Sequence, residues 1–435
     1  MLSLSIQGLV VFGIAALWQA SATILQNGQV KPTSYAETRI NQSEYSFRTY
    51  SANATEISYQ GRWDSKYVSW WSAPGIKFGY TGRTVAITFG NLTTDGVLVG
   101  YRIGGLDWAF ANITAGSTHL LVSPADPNSG LTAPINPWTF ELRVTNWAFG
   151  IQIDSVHAAA GEKLVRLPDL GRRIEVIGDS LAAGMYTSYE GLSSWAYGLA
   201  AGLGNTEYSV TAYPGICAAD QDCWGNPRGQ VHQWFYTSDT SSRAAALYGE
   251  NPEPWDFSAR PAADLVVINI GTNDGNEHNN VSTTAYIDAL TKIIEGVHGK
   301  WPKAQVIVMS LWLGFYQSGN SYFPSAPSGW VNEISQMVQW FNSGDYLLDP
   351  VIYDGITKKT SRTGTKVEPF VHYFNTTGIM QHNDIGPGYH PTDIGAIKVA
   401  SHLQQFIKMT FQWDLYATGP EVYHDTLYWN NEANY

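Results

Sequence analysis

A serine, an asparagine and a histidine, each set at the end of an ordered run, are the residues of this chain best suited to chemistry. The serine is Ser180, in Ile174-Glu175-Val176-Ile177-Gly178-Asp179-Ser180-Leu181-Ala182-Ala183-Gly184. An apolar strand that stops at a small residue and turns into a helix leaves Ser180 at the carboxyl edge of a sheet. Backbone N–H groups there can receive a developing oxyanion. Gly-Asp-Ser by itself is equally an ordinary turn with a helix N-cap. The asparagine is Asn273, in Gly271-Thr272-Asn273-Asp274, directly after the apolar residues 265–270. Its carboxamide can donate to an oxyanion, a contact worth a few kcal/mol in a transition state, or can simply hold a turn. The histidine is His390, in Gly388-Tyr389-His390-Pro391-Thr392-Asp393. Pro391 stiffens its loop and Thr392 or Asp393 can cap the next helix, so the imidazole has a rigid seat for general-base work. Each segment alone is weak. Together, in this order, they point to acyl transfer by an activated hydroxyl.

Those residues need a scaffold, and the surrounding pattern supplies one. Residues 174–177, 263–270 and 304–311 read as apolar strands. Helical stretches at 194–203, 284–298, 331–341 and 393–409 alternate with them. In the last helix Ala396, Val399, Leu403, Phe406 and Ile407 share one face. Strands alternating with helices predict a parallel sheet covered on both sides. The region before it is different. Val85 to Phe89, 96–103, 118–122 and 138–144 are short β-branched or aromatic runs separated by Gly90-Asn91 and Gly104-Gly105. With no helical period in that region, a β-sandwich is expected. The expected layout is a leader at 1–22, an all-β sandwich at 40–165, an α/β domain at 172–411 and an aromatic strap at 412–435. A hinge is expected within 164–171.

Composition narrows the partners. A chain of 435 residues suits two domains. A net charge of −12 argues against nucleic acid and against attraction to anionic membranes. The 17 Trp and 25 Tyr provide flat rings with polar edges, which serve equally for packing and for sugar binding. An apolar run at 8–18 followed by Ala20-Ser21-Ala22 reads as a secretory signal peptide and is too short to span a bilayer. Six N-x-[ST] sites, at Asn41, Asn53, Asn91, Asn112, Asn280 and Asn375, are candidate glycan positions on an exported protein. The only cysteines, Cys217 and Cys223, are expected to form a disulfide that staples one loop. A metal site suits them less, because no histidine stands at ligand spacing nearby. No metal or cofactor is expected.

The order Gly-Asp-Ser, a mid-chain glycine, Gly-Thr-Asn-Asp and His-Pro resembles the four blocks of the SGNH (GDSL) hydrolase superfamily. The resemblance implies a flavodoxin-like α/β/α sandwich and metal-free ester hydrolysis. Ser180 would be the nucleophile and His390 the base. Three oxyanion donors would be the N–H groups of Ser180 and Gly215 and the side chain of Asn273. Gly215 stands in Ala212-Tyr213-Pro214-Gly215-Ile216-Cys217. The preceding sandwich, jelly-roll-like, with Trp70-Trp71-Ser72 ahead of Ile76-Lys77-Phe78, is similar to carbohydrate esterase family 2. Members of that family remove acetyl groups from plant-wall polysaccharides, so an acylated carbohydrate is the implied substrate. One departure matters. The superfamily usually has an Asp three residues before the His, and here that residue is Pro387. Either main-chain carbonyls orient His390 in a Ser–His dyad, as in some family members, or Asp384 turns back onto the ring. The rival functions are a lipase or longer-chain esterase and a glycan-binding protein without turnover. Trp224 is a candidate cleft wall or a packing residue.

Overall fold

The strands expected between residues 85 and 144 all form, because their alternate residues have an apolar core to enter. The computed structural model describes residues 25–26, 29–30, 34–104, 106–124, 137–249, 252–312, 314–325 and 330–415. The expected leader and the strap beyond residue 415 lie outside the described residues. Contacts divide the chain into two compact units, 1–33 and 34–435. In the first, Leu25–Gln26 and Gln29–Val30 pair as an antiparallel hairpin. The second holds both the antiparallel and the parallel sheets.

Two six-stranded antiparallel sheets make the sandwich. One runs Ala109–Ile113, Val97–Ile103, Trp138–Val144, Gly75–Tyr80, Leu164–Val165, with Ser58–Gln60 also paired to Gly75–Tyr80. The other runs Arg39–Ile40, Thr118–Val122, Val85–Phe89, Ile151–Ala159, Phe47–Ser51, with Val68–Ser69 joined to Ile151–Ala159. Phe78, Phe140, Leu142, Ile87, Phe89 and Ile153 fill the space between them. Leu164 and Val165 were expected in the hinge. They pair instead with Tyr80 and Gly79, because burying Leu164 holds the chain to the sheet.

The parallel sheet comprises β1 (Arg172–Gly178), β2 (Thr206–Ala212), β3 (Leu265–Asn269), β4 (Gln305–Met309) and β5 (Val371–Phe374). Their spatial order is β2-β1-β3-β4-β5, the flavodoxin order. The principal helices are α1 (Ser180–Ala183), α2 (Trp195–Leu203), α3 (Thr283–Lys300), α4 (Val331–Phe341) and α5 (Asp393–Phe411). Side chains alternate between two cores. Ile174, Val176, Val267 and Ile307 meet α2 and α5, whereas Ile177, Val266, Ile268, Val306 and Val308 meet α3 and α4. β2 and β5 escape the sequence reading for physical reasons. β2 is an edge strand, Thr-Glu-Tyr-Ser-Val-Thr-Ala, with few apolar residues, and β5 has only four residues. Among the described residues no helix is long and apolar enough to cross a membrane.

Buried charge joins the sandwich to this sheet. Arg62, 1% exposed, donates from Nη2 to Glu175 Oε1 on β1 at 3.1 Å and from Nη1 to the carbonyls of Trp234 and Tyr236. Its guanidinium also faces the rings of Trp234, Trp255 and Phe257. Glu175 accepts further bonds from the hydroxyls of Ser209 and Thr211 on β2. Beside it Glu207 of β2 accepts from Lys77 and, at 2.7 Å, from Gln60 Nε2. Burial pulls the Arg62 guanidinium down to about 10, which still leaves it charged at neutral pH. Removing one partner strands the other charge in a dry interior, at a cost of about 3–5 kcal/mol. Arg62→Met is therefore expected to lose about that much stability in urea unfolding, with part regained by adding Glu175→Gln. Arg166→Ala, which breaks the exposed pair with Asp169, should cost under about 1 kcal/mol. Equal losses for the two single variants would contradict this account.

Candidate active site

β1 delivers Ser180 to the point where the strand order reverses, between β1 and β3, which is where open α/β sheets form a crevice. The turn is tight. A Cβ on Gly178 would lie 2.5 Å from Ala182 Cβ and 2.9 Å from the Asn269 carbonyl oxygen. Asp179 caps α1, its Oδ1 accepting the Leu181 N–H at 3.0 Å. Gly184, at φ +78, ends that single turn of helix.

Ser180 Oγ lies 2.7 Å from His390 Nε2, across 210 residues of sequence. On the other side of the ring, Nδ1 is 3.1 Å from the Pro387 carbonyl oxygen. A carbonyl only accepts, so Nδ1 carries the hydrogen and Nε2 is left bare to accept from the serine hydroxyl. The loop is held by its own backbone: His390 N–H donates to Pro387 O at 3.2 Å and Gly386 N–H to His390 O at 2.7 Å. Thr392 caps α5 by accepting from the Gly395 N–H, and Asp393 accepts from the Ser188 N–H at 2.8 Å. Asp384 does not turn onto the imidazole. Its buried carboxylate accepts from the Gln381 N–H at 2.7 Å and from Lys398 Nζ at 2.6 Å.

The remaining predicted residues come from the loops after β2 and β3. Gly215 has φ +83, and a Cβ there would stand 2.9 Å from Asn226 Nδ2 and 3.2 Å from Trp224 Cβ. Only glycine suits such a position. Asn273 donates one Nδ2 hydrogen to the Ile216 carbonyl at 2.9 Å, which ties the two loops together. Asp274 strengthens the tie by accepting from the N–H groups of Ala218 and Ala219 at 2.8 and 3.0 Å. Cys217 and Cys223 form a disulfide in the same loop. Trp224 stands against Gly215, half exposed, its ring stacked on His278 with centroids 4.6 Å apart. The six asparagines of the candidate glycan sites are all exposed.

Burial governs the titration of this centre. Desolvation pushes the Asp179 carboxyl up to about 7 and the Asp274 carboxyl up to about 6, against the N–H groups that favour their charged forms. Desolvation pulls His390 below its ordinary value, opposed by hydrogen bonding to the backbone at Pro387 and Gly388. A neutral imidazole, able to take a proton, is the form present at pH 7. A cavity of about 540 Å³ lies elsewhere, between the sandwich and β2, among Lys77, Arg102, Glu141, Arg143 and Glu207. None of the four predicted residues lines it.

Sequence reasoning singled out Trp224 but missed the aromatic neighbours of His390. Tyr186 meets the His390 ring edge to face at 4.9 Å, and Trp312 Nε1 donates to the Tyr389 carbonyl at 3.2 Å. Tyr186, Trp224 and Tyr389 are each more than half exposed, and all three have left-handed backbone (φ +69, +54 and +65). Strained backbone of this kind gathers at functional sites. No sequence signal marks a tyrosine or tryptophan for that conformation.

Comparison with known proteins follows the same lines. The profile of the GDSL-like Lipase/Acylhydrolase family matches residues 176–396. A family two carbohydrate esterase from Cellvibrio japonicus superposes with a TM-score of 0.63 at 15% identity, over 85% of this chain and 99% of that one. A family two carbohydrate esterase from Clostridium thermocellum, in complex with cellohexaose, gives 0.60 at 19% identity, over 82% and 100%. An acetyl xylan esterase from the rumen bacterium Butyrivibrio proteoclasticus gives 0.61 at 14%, over 84% and 100%. At these identities the likeness is one of fold. No curated protein matches the sequence. The family profile spans just over half of the 435 residues and includes Ser180, Gly215, Asn273 and His390, so the chain belongs to the GDSL-like lipase/acylhydrolase family and is a carboxylic ester hydrolase.

Proposed function

We propose that this hydrolase is a secreted serine esterase that removes O-acyl groups, chiefly acetyl, from carbohydrate. The observation that carries the reading is the 2.7 Å bond between Ser180 Oγ and His390 Nε2, with Nδ1 held by a carbonyl. His390 takes the hydroxyl proton as Ser180 attacks the ester carbonyl. The N–H groups of Ser180 and Gly215 and the second Nδ2 hydrogen of Asn273 receive the oxyanion. His390 then returns the proton to the leaving sugar oxygen as its bond to the acyl carbon breaks, and water repeats the sequence to release the acid. The Pro387 carbonyl fixes the tautomer but stabilises imidazolium less than a carboxylate does.

Carbohydrate as substrate is supported by the fold shared with family two carbohydrate esterases. Export is supported by the apolar run at 8–18 with Ala20-Ser21-Ala22, by the disulfide and by the exposure of the asparagine in each of the six N-x-[ST] sequences. A sandwich domain at 40–165, a hydrolase domain at 172–411 and a strap at 412–435 remain the proposed layout. The glycan-binding alternative is disfavoured by the intact Ser180–His390 bond.

Ser180→Ala should lower turnover of 4-nitrophenyl acetate by about a thousandfold or more without shifting Tm, and retained turnover refutes the scheme. A small acyl pocket should prefer acetate to octanoate esters; the reverse preference identifies a longer-chain esterase or lipase. Because His390 is pulled down by burial, its neutral form persists into mild acid. The ascending limb of kcat/KM should then fall below pH 6.5, and a midpoint above that value contradicts the assignment. Asp384→Asn should leave that limb in place, since the carboxylate serves Lys398. A marked shift would return Asp384 to a role beside the imidazole.

A further inference from the structure

The loop after β4 carries an antiparallel hairpin, Phe315–Ser318 paired with Ser321–Pro324. Its sequence, Phe-Tyr-Gln-Ser-Gly-Asn-Ser-Tyr-Phe-Pro, contains four aromatic rings and no charged residue. The strand register separates its two faces. Phe315 and Tyr322 both turn to His382, Tyr322 stacking on the imidazole at 4.1 Å with planes 7° apart and Phe315 meeting it at 6.3 Å. A two-stranded ribbon is marginal alone, so this inner face is what holds the hairpin to the His382–Asp384 turn, just ahead of the catalytic loop. The root is equally close. A Cβ on Gly314 would fall 1.8 Å from the Tyr389 ring, so the start of the hairpin packs against the residue before His390.

The outer face is unaccounted for. Tyr316 and Phe323 pair across the strands with centroids 5.7 Å apart and planes 27° apart, and they are 55% and 44% exposed. Exposed aromatic pairs on a braced scaffold mark an interaction surface. By register the hydroxyls of Ser318 and Ser321 share this face with the two rings, and the hairpin has no charged side chain to attract a charged partner. The geometry points to a platform for a neutral glycan chain, on which Tyr316 and Phe323 stack pyranose rings of a polymer whose acylated unit lies at Ser180. The inference rests on the carbohydrate-esterase reading and extends it from a small ester to a polymeric substrate.

The test compares wild type with Tyr316→Ala/Phe323→Ala on acetylated xylan and acetylated glucomannan, and on 4-nitrophenyl acetate. Affinity electrophoresis on the deacetylated polymers reads binding without turnover. Loss of two stacking contacts should lower kcat/KM on polymer roughly tenfold, mainly through KM, with a similar fall in polymer retention. Turnover of 4-nitrophenyl acetate should stay within about twofold, and Tyr316→Phe/Phe323→Tyr should behave as wild type. Equal losses on polymer and small ester would show that the hairpin only braces the catalytic loop, overturning the proposal. Unchanged polymer turnover and binding would overturn it, as would a halved molar mass in the double variant, which would make the face a contact between two copies. A wild type inert on every ester but bound to polymer through the hairpin would sink the esterase reading and keep the platform. Ester turnover with polymer handling independent of the hairpin would do the reverse.

Discussion

The strand that leads into Ser180 also carries the charge that binds the two β-rich regions together. Glu175 sits on β1, five residues before Ser180, and accepts from Arg62 of the sandwich region and from Ser209 and Thr211 of β2. A carboxylate in a dry interior is tolerated only when its lone pairs are filled, and here three donors from two other segments converge to fill them. That condition sets β1 against β2 and against the sandwich at once. The buried Lys77–Glu207 pair repeats the device one strand further out.

In the proposed mechanism the support of the base comes from backbone rather than from a third acid. Where an Asp would stand in the superfamily there is Pro387, and its carbonyl takes the Nδ1 hydrogen. The loop that provides this carbonyl is fastened by its own N–H groups and by the cap of α5. Such a support fixes orientation well and adds little charge. Burial then pulls His390 down, opposed by backbone hydrogen bonds and by no carboxylate, which favours the neutral form a base needs. Asp384, the nearest acid in sequence, serves instead as the buried partner of Lys398 and of the Gln381 N–H.

The rim of the site is held under conformational strain. Tyr186, Trp224 and Tyr389 carry large exposed rings on left-handed backbone, a conformation that disfavours any side chain with a Cβ. Each persists because its neighbours over-determine it: Tyr186 lies against His390, Trp224 against Gly215 and His278, and Tyr389 against Gly314.

By itself the sequence determined what local chemistry can determine. The apolar runs that became β1, β3 and β4, the face of α5 and the alternation of the sandwich strands follow from periodicity. Ser180, Asn273 and His390 were legible because each ends an element whose boundary is written in Gly, Pro and capping residues. Gly215 was legible only through its family resemblance. Tertiary structure decided the rest. β2 needed a neighbouring strand and the sandwich to bury its polar residues, and β5 was too short to show a period. Whether Asp384 or a carbonyl would orient His390 depended on Lys398, fourteen residues away, reaching the carboxylate first. The left-handed tyrosines and the aromatic hairpin arise from contacts between distant segments, and no local propensity encodes them.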